Sequence, residues 1–154
     1  MKKVKLLSLA LISLLTCTLL ASCSKDDKSV DPTVFEGTWG LTHAEGWIIE
    51  DGEKDEFNID CNPLSPSSYD DEKMEIINTT GNNYRVDQYS YSKWSKAWVK
   101  NTTFTGTLNG NVFTYTADGE TITMKILSVN ETRMELEITH SNNDYYSKVS
   151  LRKL

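Results

Sequence analysis

Apolar and polar residues alternate along the chain from Phe35 onward, and no segment there repeats its apolar positions every three to four residues as a helix would. Met134, Leu136 and Ile138, for example, alternate with polar residues, which places them on one face of a β-strand. The pattern therefore predicts an all-β domain whose strands each have one apolar face. The predicted strands cover residues 38–50, 53–60, 74–78, 83–89, 98–108, 112–117, 120–129, 133–140 and 145–154.

Short turn sequences separate most of these strands. Asn109-Gly110 and Asp118-Gly119 tolerate the positive φ angles that a tight hairpin turn needs. Because short reversals connect the last five strands, these strands form an up-and-down antiparallel meander. A meander with one apolar face leaves open edges, and closure removes them. We therefore predict a closed barrel of about eight or nine strands, with a two-sheet sandwich as the alternative.

The N-terminal segment has the three parts of a secretory signal peptide. Lys2, Lys3 and Lys5 are followed by an uncharged stretch at 6–24, where small residues precede Cys23. This stretch is about as long as a membrane span, but its serines, threonines and small residues favour cleavage. We expect residues 1–22 to be a cleaved signal peptide, residues 23–34 a polar flexible tether and residues 35–154 a single domain.

The residues around Cys23 resemble the lipobox of bacterial lipoproteins. The resemblance implies that the Cys23 thiol is acylated, that Cys23 becomes the new N-terminus, and that the acyl chains attach the protein to a membrane. Ser24, Lys25, Asp26 and Asp27 resemble the short acidic export signal of Bacteroidota lipoproteins, which implies an outer-membrane location facing the cell exterior. A solvated linker in a lipoprotein that faces the periplasm is the alternative.

Charge and cysteine content limit the partners. The formal net charge is −6 at pH 7, and it becomes −9 without the three lysines of residues 1–22. This acidity argues against nucleic acid as a partner, because its phosphates would be repelled. Cys17 leaves with the signal peptide and Cys23 is the expected lipidation site, so Cys61 has no cysteine with which to form an internal disulfide. We expect Cys61 to be a buried or partly buried thiol.

The start of the domain carries a second resemblance. Gly37, Thr38 and Trp39 match the Gly-x-Trp motif that opens the first strand of lipocalins, and the whole meander resembles the lipocalin-like domain of Bacteroidota lipoproteins. In lipocalins generally, the tryptophan closes one end of the barrel and an arginine from the end of the last strand often lies across it. The resemblance implies these roles for Trp39 and Arg152.

No residue pattern predicts catalysis, a cofactor or a metal site. The sequence has no nucleophile-elbow, phosphate-loop or zinc motif. His43 and His140 are the only histidines and could face the interior, but a metal site normally has three or four ligands. The acidic runs 50–56 and 70–72 fit no calcium-loop pattern, so we interpret them as solvated loops. We expect a protein that is not an enzyme.

Aromatic residues are dense for a domain of this size and are the best candidates for ligand contact. The segment 89–98 has rings on both faces of a strand. The Pro- and Ser-rich segment 61–69 interrupts the alternation, as a binding loop or lid would. The candidate ligand-binding residues are Trp47, Tyr89, Trp94, Trp98, Phe104, Tyr115 and His43.

These observations lead to two hypotheses for a lipid-anchored cell-envelope protein. The first is non-catalytic binding of an apolar or amphipathic small molecule inside the barrel. The alternative is a structural or interaction role, in which a barrel filled by its own side chains docks an envelope protein or a glycan. The interior volume separates the two, because a binder needs an apolar cavity and a filled barrel has none.

Overall fold

The computed structural model describes residues 29–154, so the predicted signal peptide, Cys23 and the export signal at 24–27 lie outside the described residues. The described part is a nine-stranded antiparallel β-domain with one short helix, and the all-β prediction is confirmed. No helix in this part is long and apolar enough to cross a membrane. The elements are α1 (Pro32–Phe35), β1 (Gly37–Glu50), β2 (Glu53–Asp60), β3 (Glu72–Thr80), β4 (Asn83–Ser92), β5 (Ala97–Asn109), β6 (Val112–Ala117), β7 (Glu120–Val129), β8 (Arg133–His140) and β9 (Tyr145–Lys153).

The strands begin and end where the turn sequences require. Asp51 and Asp118 both have a φ of 52°, and the glycines that follow them also have positive φ angles, of 82° at Gly52 and 85° at Gly119. This left-handed pair of residues gives the tight hairpin turn whose twist matches the twist of the flanking strands. The turns therefore fix the register of the hairpins β1–β2 and β6–β7.

Eight of the strands close into a barrel. Strands β3 to β9 follow one another as antiparallel neighbours, and β1 pairs with both β3 and β9. β1 is long enough to have two partners on one edge: residues 37–40 pair with β3, and residues 43–50 pair with β2. Among the described residues, β2 pairs with β1 alone and is the extra strand outside the barrel. The barrel prediction is confirmed, and the sandwich alternative is wrong.

One end of the barrel is filled by large side chains. Trp39, Tyr84, Phe113 and Met134 are all less than 2% exposed. α1 covers this end and inserts Phe35, whose ring lies edge-on to Tyr84 with the ring centres 5.2 Å apart. The indole Nε1–H of Trp39 donates a hydrogen bond to the Phe35 carbonyl at 2.9 Å, so the buried nitrogen has a partner. We call this the closed end.

The basic residue over Trp39 is Lys153, and the expectation for Arg152 is wrong. The ammonium of Lys153 lies 5.0 Å from the centre of the Trp39 ring, whereas Arg152 is exposed. Strand alternation explains the difference, because Lys153 shares its face with the buried Leu151 and Arg152 points the other way. A basic side chain therefore lies across Trp39, as the resemblance implied, but it belongs to Lys153 and not to Arg152.

The barrel wall is incomplete near the opposite end. Residues 106–109 of β5 pair with residues 112–115 of β6, and the ladder then stops. β5 continues its pairing with β4 as far as residue 97 on its other edge. The two strands therefore separate toward the open end and leave a seam between residues 102–105 of β5 and the end of β6.

Candidate functional site

A cavity of about 120 Å³ lies inside the barrel beyond the closed end. Its wall is mostly aliphatic and aromatic, and it also includes Glu72, Lys73, Gln88 and Tyr145. The barrel is therefore neither packed solid nor widely hollow. The apolar wall residues include Leu41, Ala44, Met74, Val86, Phe104 and Met124.

A cleft of about 540 Å³ follows the seam between β5 and β6. Gln88 and Phe104 line both the cleft and the interior cavity, so the two spaces adjoin at these side chains. The hydroxyl groups of Thr102, Thr103 and Thr105 make the outer part of the cleft more polar than the cavity. The arrangement is an apolar interior reached through a polar lateral opening.

Phe104 and Tyr115 form a stacked pair on either side of the seam. Their ring centres are 3.9 Å apart and the planes differ by 14°. Burial raises the pKa of the Tyr115 hydroxyl to about 12, with a smaller effect from Tyr145, so the phenol stays neutral at physiological pH. These two candidate residues from the sequence lie at the cavity and cleft, and their contact with a ligand remains a prediction.

Glu72 is the acidic residue of the cavity wall. It is the first residue of β3 and alternates with the buried Met74 and Ile76, so its side chain is directed inward. Burial raises the pKa of its carboxyl group, and the nearby Asp70 acts in the same direction, while a hydrogen bond with Gln88 opposes both. No salt bridge to Glu72 is present in residues 29–154.

Lys73 also lines the cavity, but its ammonium makes no salt bridge with Glu72. Its ammonium lies 4.9 Å from the Tyr89 ring centre and 5.1 Å from the Trp98 ring centre, on the outer face of the sheet. The acidic run 70–72 predicts a solvated loop, whereas Glu72 begins β3. The signal that would have separated it from Asp70 and Asp71 is its alternation with Met74 and Ile76.

The loop between β2 and β3 is organised by one carboxylate. Asp71 is 4% exposed and accepts hydrogen bonds from the backbone N–H groups of Asn62, Ser67 and Ser68 at 2.9, 2.7 and 2.8 Å. Burial alone would raise the pKa of Asp71, but these bonds to Ser67, Ser68 and Asn62 outweigh it and hold the pKa below its usual value. The loop therefore has a defined conformation beside the cavity.

Cys61 begins this loop as a half-buried thiol. Its Sγ lies 3.1 Å from the Asp70 carbonyl oxygen, to which it donates. Burial, together with the negative charges of Asp71, Asp70 and Glu72, raises the pKa of the thiol to about 11. The thiol is consequently protonated and poorly nucleophilic at neutral pH.

The comparisons with known proteins agree with this architecture. The family model described as a lipocalin-like domain matches residues 35–136, more than half of the chain. The chain belongs to the lipocalin-like domain family. No curated protein is detectably similar in sequence.

Three solved structures are similar to this lipocalin-like chain to different degrees. A biogenic amine-binding protein is 13% identical with a TM-score of 0.54, covering 86% of this chain and 72% of its own. The tryptamine complex of the amine-binding protein of Rhodnius prolixus is 12% identical, with a TM-score of 0.48 and coverages of 86% and 66%. A mutant of the fluorescent protein UnaG is 13% identical, with a TM-score of 0.43 and coverages of 79% and 97%.

The His43 side chain lies outside the cavity wall of the lipocalin-like barrel, and its contact with a ligand stays a prediction that the cavity does not support. The pairing of β1 with β9 shifts by one residue between Leu41 and His43, which is a β-bulge. The bulge reverses the alternation, so Leu41 and Ala44 line the cavity while His43 Nδ1 lies 2.8 Å from an Asp60 carboxylate oxygen near the surface. Alternation alone could not predict this position.

Four of the predicted aromatic residues also lie outside the cavity wall. Trp47 stacks on Tyr146 on the outer face of β1 and β9, with ring centres 6.3 Å apart. Tyr89 and Trp98 share the ammonium of Lys73, and Trp94 is 90% exposed at the turn between β4 and β5. The structure thus places Phe104 and Tyr115 at the site and the other rings on the outer surface.

His140 belongs to a polar cluster at the turn between β8 and β9. Its Nδ1 lies 3.2 Å from an Asp144 carboxylate oxygen and 3.7 Å from a Glu120 carboxylate oxygen. Potential ligand atoms of these three residues all lie within 4.8 Å of one another. However, the side-chain amide of Asn142 donates to both carboxylates, which accounts for the cluster as the hydrogen bonding of a turn.

Proposed function

We propose that the protein binds a small amphipathic molecule without catalysing a reaction on it. The observation that carries the proposal is the apolar cavity, closed at one end and adjoining a polar lateral cleft. Sites of this kind hold the apolar part of a ligand inside and its polar part near water. The solved biogenic amine-binding protein with the same fold supports the proposal by its described function.

The cavity size limits the ligand. An engineered apolar cavity of ~150 Å³ in another protein holds a benzene molecule. The 120 Å³ interior therefore suits about one ring or a short branched chain, and a larger ligand would extend into the seam. A long fatty acid would not fit inside without rearrangement of the wall.

We further propose that the protein is a lipoprotein of the outer membrane, attached through Cys23 and facing the cell exterior. The backbone N–H of Val30 donates to the Gly110 carbonyl at 3.1 Å, beside the closed end. Six residues lie between Cys23 and Val30, and the seven steps from one Cα atom to the next span at most about 25 Å. A lipidated Cys23 would therefore hold the closed end toward the membrane and direct the seam away from it.

Two measurements test this location. Radiolabelled palmitate is expected to enter the wild-type protein and not the Cys23→Ser variant, which should leave the membrane fraction. Protease added to intact cells should remove the domain if it faces the exterior. Palmitate incorporation that is independent of Cys23 would contradict the anchor, and full protection from protease would contradict the exterior location.

A second candidate function is docking of an envelope protein or glycan on the outer face of the sheet. The observation in its favour is the strip formed by Tyr89, Tyr91 and Trp98 with Lys73, next to the exposed Trp94. Exposed rings with an adjacent cation are frequent at interaction surfaces. This candidate predicts that loss of Trp94 removes a partner while leaving the cavity unchanged.

Native mass spectrometry tests the leading proposal. Protein purified from the organism that makes it should carry a small co-purifying mass. Ala44→Leu adds volume to the cavity wall and should remove that mass, whereas Glu45→Leu, on the exposed neighbouring residue, should retain it. Ligand-free wild-type protein, or an equal mass on both variants, would contradict binding in the cavity.

A further inference from the structure

We infer that the ligand carries a protonated amine, which Glu72 holds at the junction of the cavity and the seam. The inference rests on the proposed function and names its ligand class. It depends on three features of the described residues: an inward carboxyl group, the lack of a salt bridge to it, and a neutral aromatic pair beside Gln88, where the cavity meets the cleft.

The first feature is the placement of Glu72 in an otherwise apolar wall. Its side chain shares the interior with Met74, Val86 and Phe104, and its polar neighbour in the wall is Gln88. A carboxylate in such surroundings costs free energy unless it is paired. Glu72 is half-buried, and its hydrogen bond with Gln88 compensates this cost only in part, because burial still raises the pKa of the carboxyl group.

The second feature is that the described part of the chain supplies no cation to Glu72. Lys73 is held by the rings of Tyr89 and Trp98 on the outer face. Lys100 is held on that face by Asp87, at 2.8 Å. A cation that pairs with this half-buried carboxylate would then come from a ligand, and an ammonium group supplies both the charge and hydrogen-bond donors.

The third feature concerns the remainder of the ligand. The Phe104–Tyr115 pair provides an aromatic surface beside Gln88, where the cavity and the cleft meet. The Tyr115 hydroxyl is neutral, so it adds no second negative charge there. A small apolar or aromatic group joined to an ammonium group fits this combination, with the apolar group in the cavity and the ammonium against Glu72.

The charge of the whole chain also favours a cationic ligand. The formal net charge of −6 attracts cations and repels anionic ligands at long range. Ligands with a carboxylate head would also meet Glu72 directly. The alternative chemistry, in which a protonated Glu72 donates a hydrogen bond to a neutral ligand, predicts no preference for an amine over an alcohol.

Calorimetric titration with three matched probes distinguishes these cases. The probes are 2-phenylethylamine, 2-phenylethanol and 3-phenylpropanoate, which share a ring and differ in the charge of the head group. The wild-type domain should bind the amine about tenfold or more tighter than the alcohol, and the anion should bind weakest. Glu72→Gln should weaken amine binding by a similar factor and leave alcohol binding nearly unchanged.

The matched control is Glu75→Gln on the same strand. Glu75 lies on the opposite face, where its carboxylate accepts a hydrogen bond from the Tyr89 hydroxyl at 3.4 Å, so this variant should keep the amine preference. Methyl NMR signals of Met74 and Met124 should shift on amine addition, which locates the probe in the cavity. Circular dichroism of both variants checks that they fold.

The results separate this inference from the proposed function. Equal binding of amine and alcohol that Glu72→Gln does not alter would overturn the amine inference and leave small-molecule binding intact. A co-purifying ligand without a basic nitrogen would also overturn the amine inference while supporting small-molecule binding. Failure of the proposed function has a different signature, which is ligand-free native protein whose Met74 and Met124 signals respond to none of the probes.

Discussion

Glu72 is the residue at which the inferred amine binding would come at the expense of stability. Its carboxyl group lies in an apolar wall, where burial raises its pKa. A raised pKa means that the folded protein binds this proton more tightly than the unfolded chain does. The resulting stability is fully present below the usual pKa of glutamate and is lost as the pH rises through the pKa of the folded state.

Glu72→Gln should therefore increase stability at neutral pH in the absence of ligand. The neutral amide keeps the shape of the side chain and removes the buried charge. We expect the melting temperature to rise by about 2–5 °C at pH 7, and the difference from wild type to disappear near pH 4. Thermal unfolding followed by circular dichroism across this pH range measures both effects. A lower melting temperature for Glu72→Gln at pH 7 would show that ionised Glu72 stabilises the fold.

Trp39 is the residue on which the closed end depends most. Its ring is fully buried, its nitrogen donates to the Phe35 carbonyl, and the ammonium of Lys153 lies over it. Trp39→Ala should reduce the free energy of unfolding by about 3–5 kcal/mol, the range for truncating a core aromatic residue. Chemical denaturation measures the change, with Trp94→Ala as the control because that ring is 90% exposed. Equal stability of the two variants would contradict the role of Trp39.

At the scale of elements, the loop between β2 and β3 depends on ionised Asp71. Three backbone N–H groups converge on its carboxylate, and the Asp71 carbonyl in turn accepts from the Tyr91 N–H at 3.0 Å. Because these bonds keep the pKa of Asp71 low, their stabilisation is present above the usual pKa of aspartate. It is lost as the pH falls through the lower pKa of the folded state.

Asp71→Asn should loosen this loop without unfolding the barrel. An amide has one acceptor oxygen where the carboxylate has two, so the bonds to Ser67, Ser68 and Asn62 cannot all be kept. We expect a loss of about 1–3 kcal/mol of local stability and faster proteolysis within residues 62–68. Asp70→Asn is the control, since Asp70 bonds to the exposed Ser68 hydroxyl. Equal cleavage rates in the two variants would contradict the role of Asp71.

The strands are predictable because two local signals, the alternation of apolar residues and the turn sequences, indicate the same strand boundaries. Alternation marks each strand, and Asp-Gly or Asn-Gly pairs mark the turns, so all nine strands were found with boundary errors of at most three residues. Two side chains are placed differently from expectation, and the causes differ. The bulge before His43 turns that side chain outward, and the resemblance to lipocalins suggested Arg152 where alternation places Lys153.

The candidate site was harder to predict than the strands because it depends on how strands of different length meet. Phe104 and Tyr115 were selected as aromatic residues, but their stacking across a seam depends on where the β5–β6 ladder stops. Glu72 is the last residue of the acidic run 70–72, and the other two residues of that run belong to the loop between β2 and β3. Such features depend on the relative stagger of strands distant in sequence, which alternation does not encode.

At the scale of the whole molecule, the two ends of the barrel should differ in dynamics. The closed end combines α1 with a cluster of fully buried side chains, whereas the open end has a seam where β5 lacks a partner strand on one edge within the described residues. Backbone N–H groups that face this seam have no ladder hydrogen bond from β6. Amide exchange depends on such bonds and on local opening, so it should report the difference directly.

Hydrogen exchange within β5 itself provides the sharpest comparison. Residues 106–109 pair with β6, and residues 98–105 pair with β4 alone, so one strand contains both the test segment and its control. We expect seam-facing amides in 98–105 to exchange at least about tenfold faster than those in 106–109 in ligand-free protein. A bound ligand that fills the seam should slow exchange in residues 98–105 and leave exchange in residues 106–109 unchanged. Uniform protection along β5 without ligand would mean that the seam is closed in solution, and ligand entry would then require the barrel wall to open elsewhere.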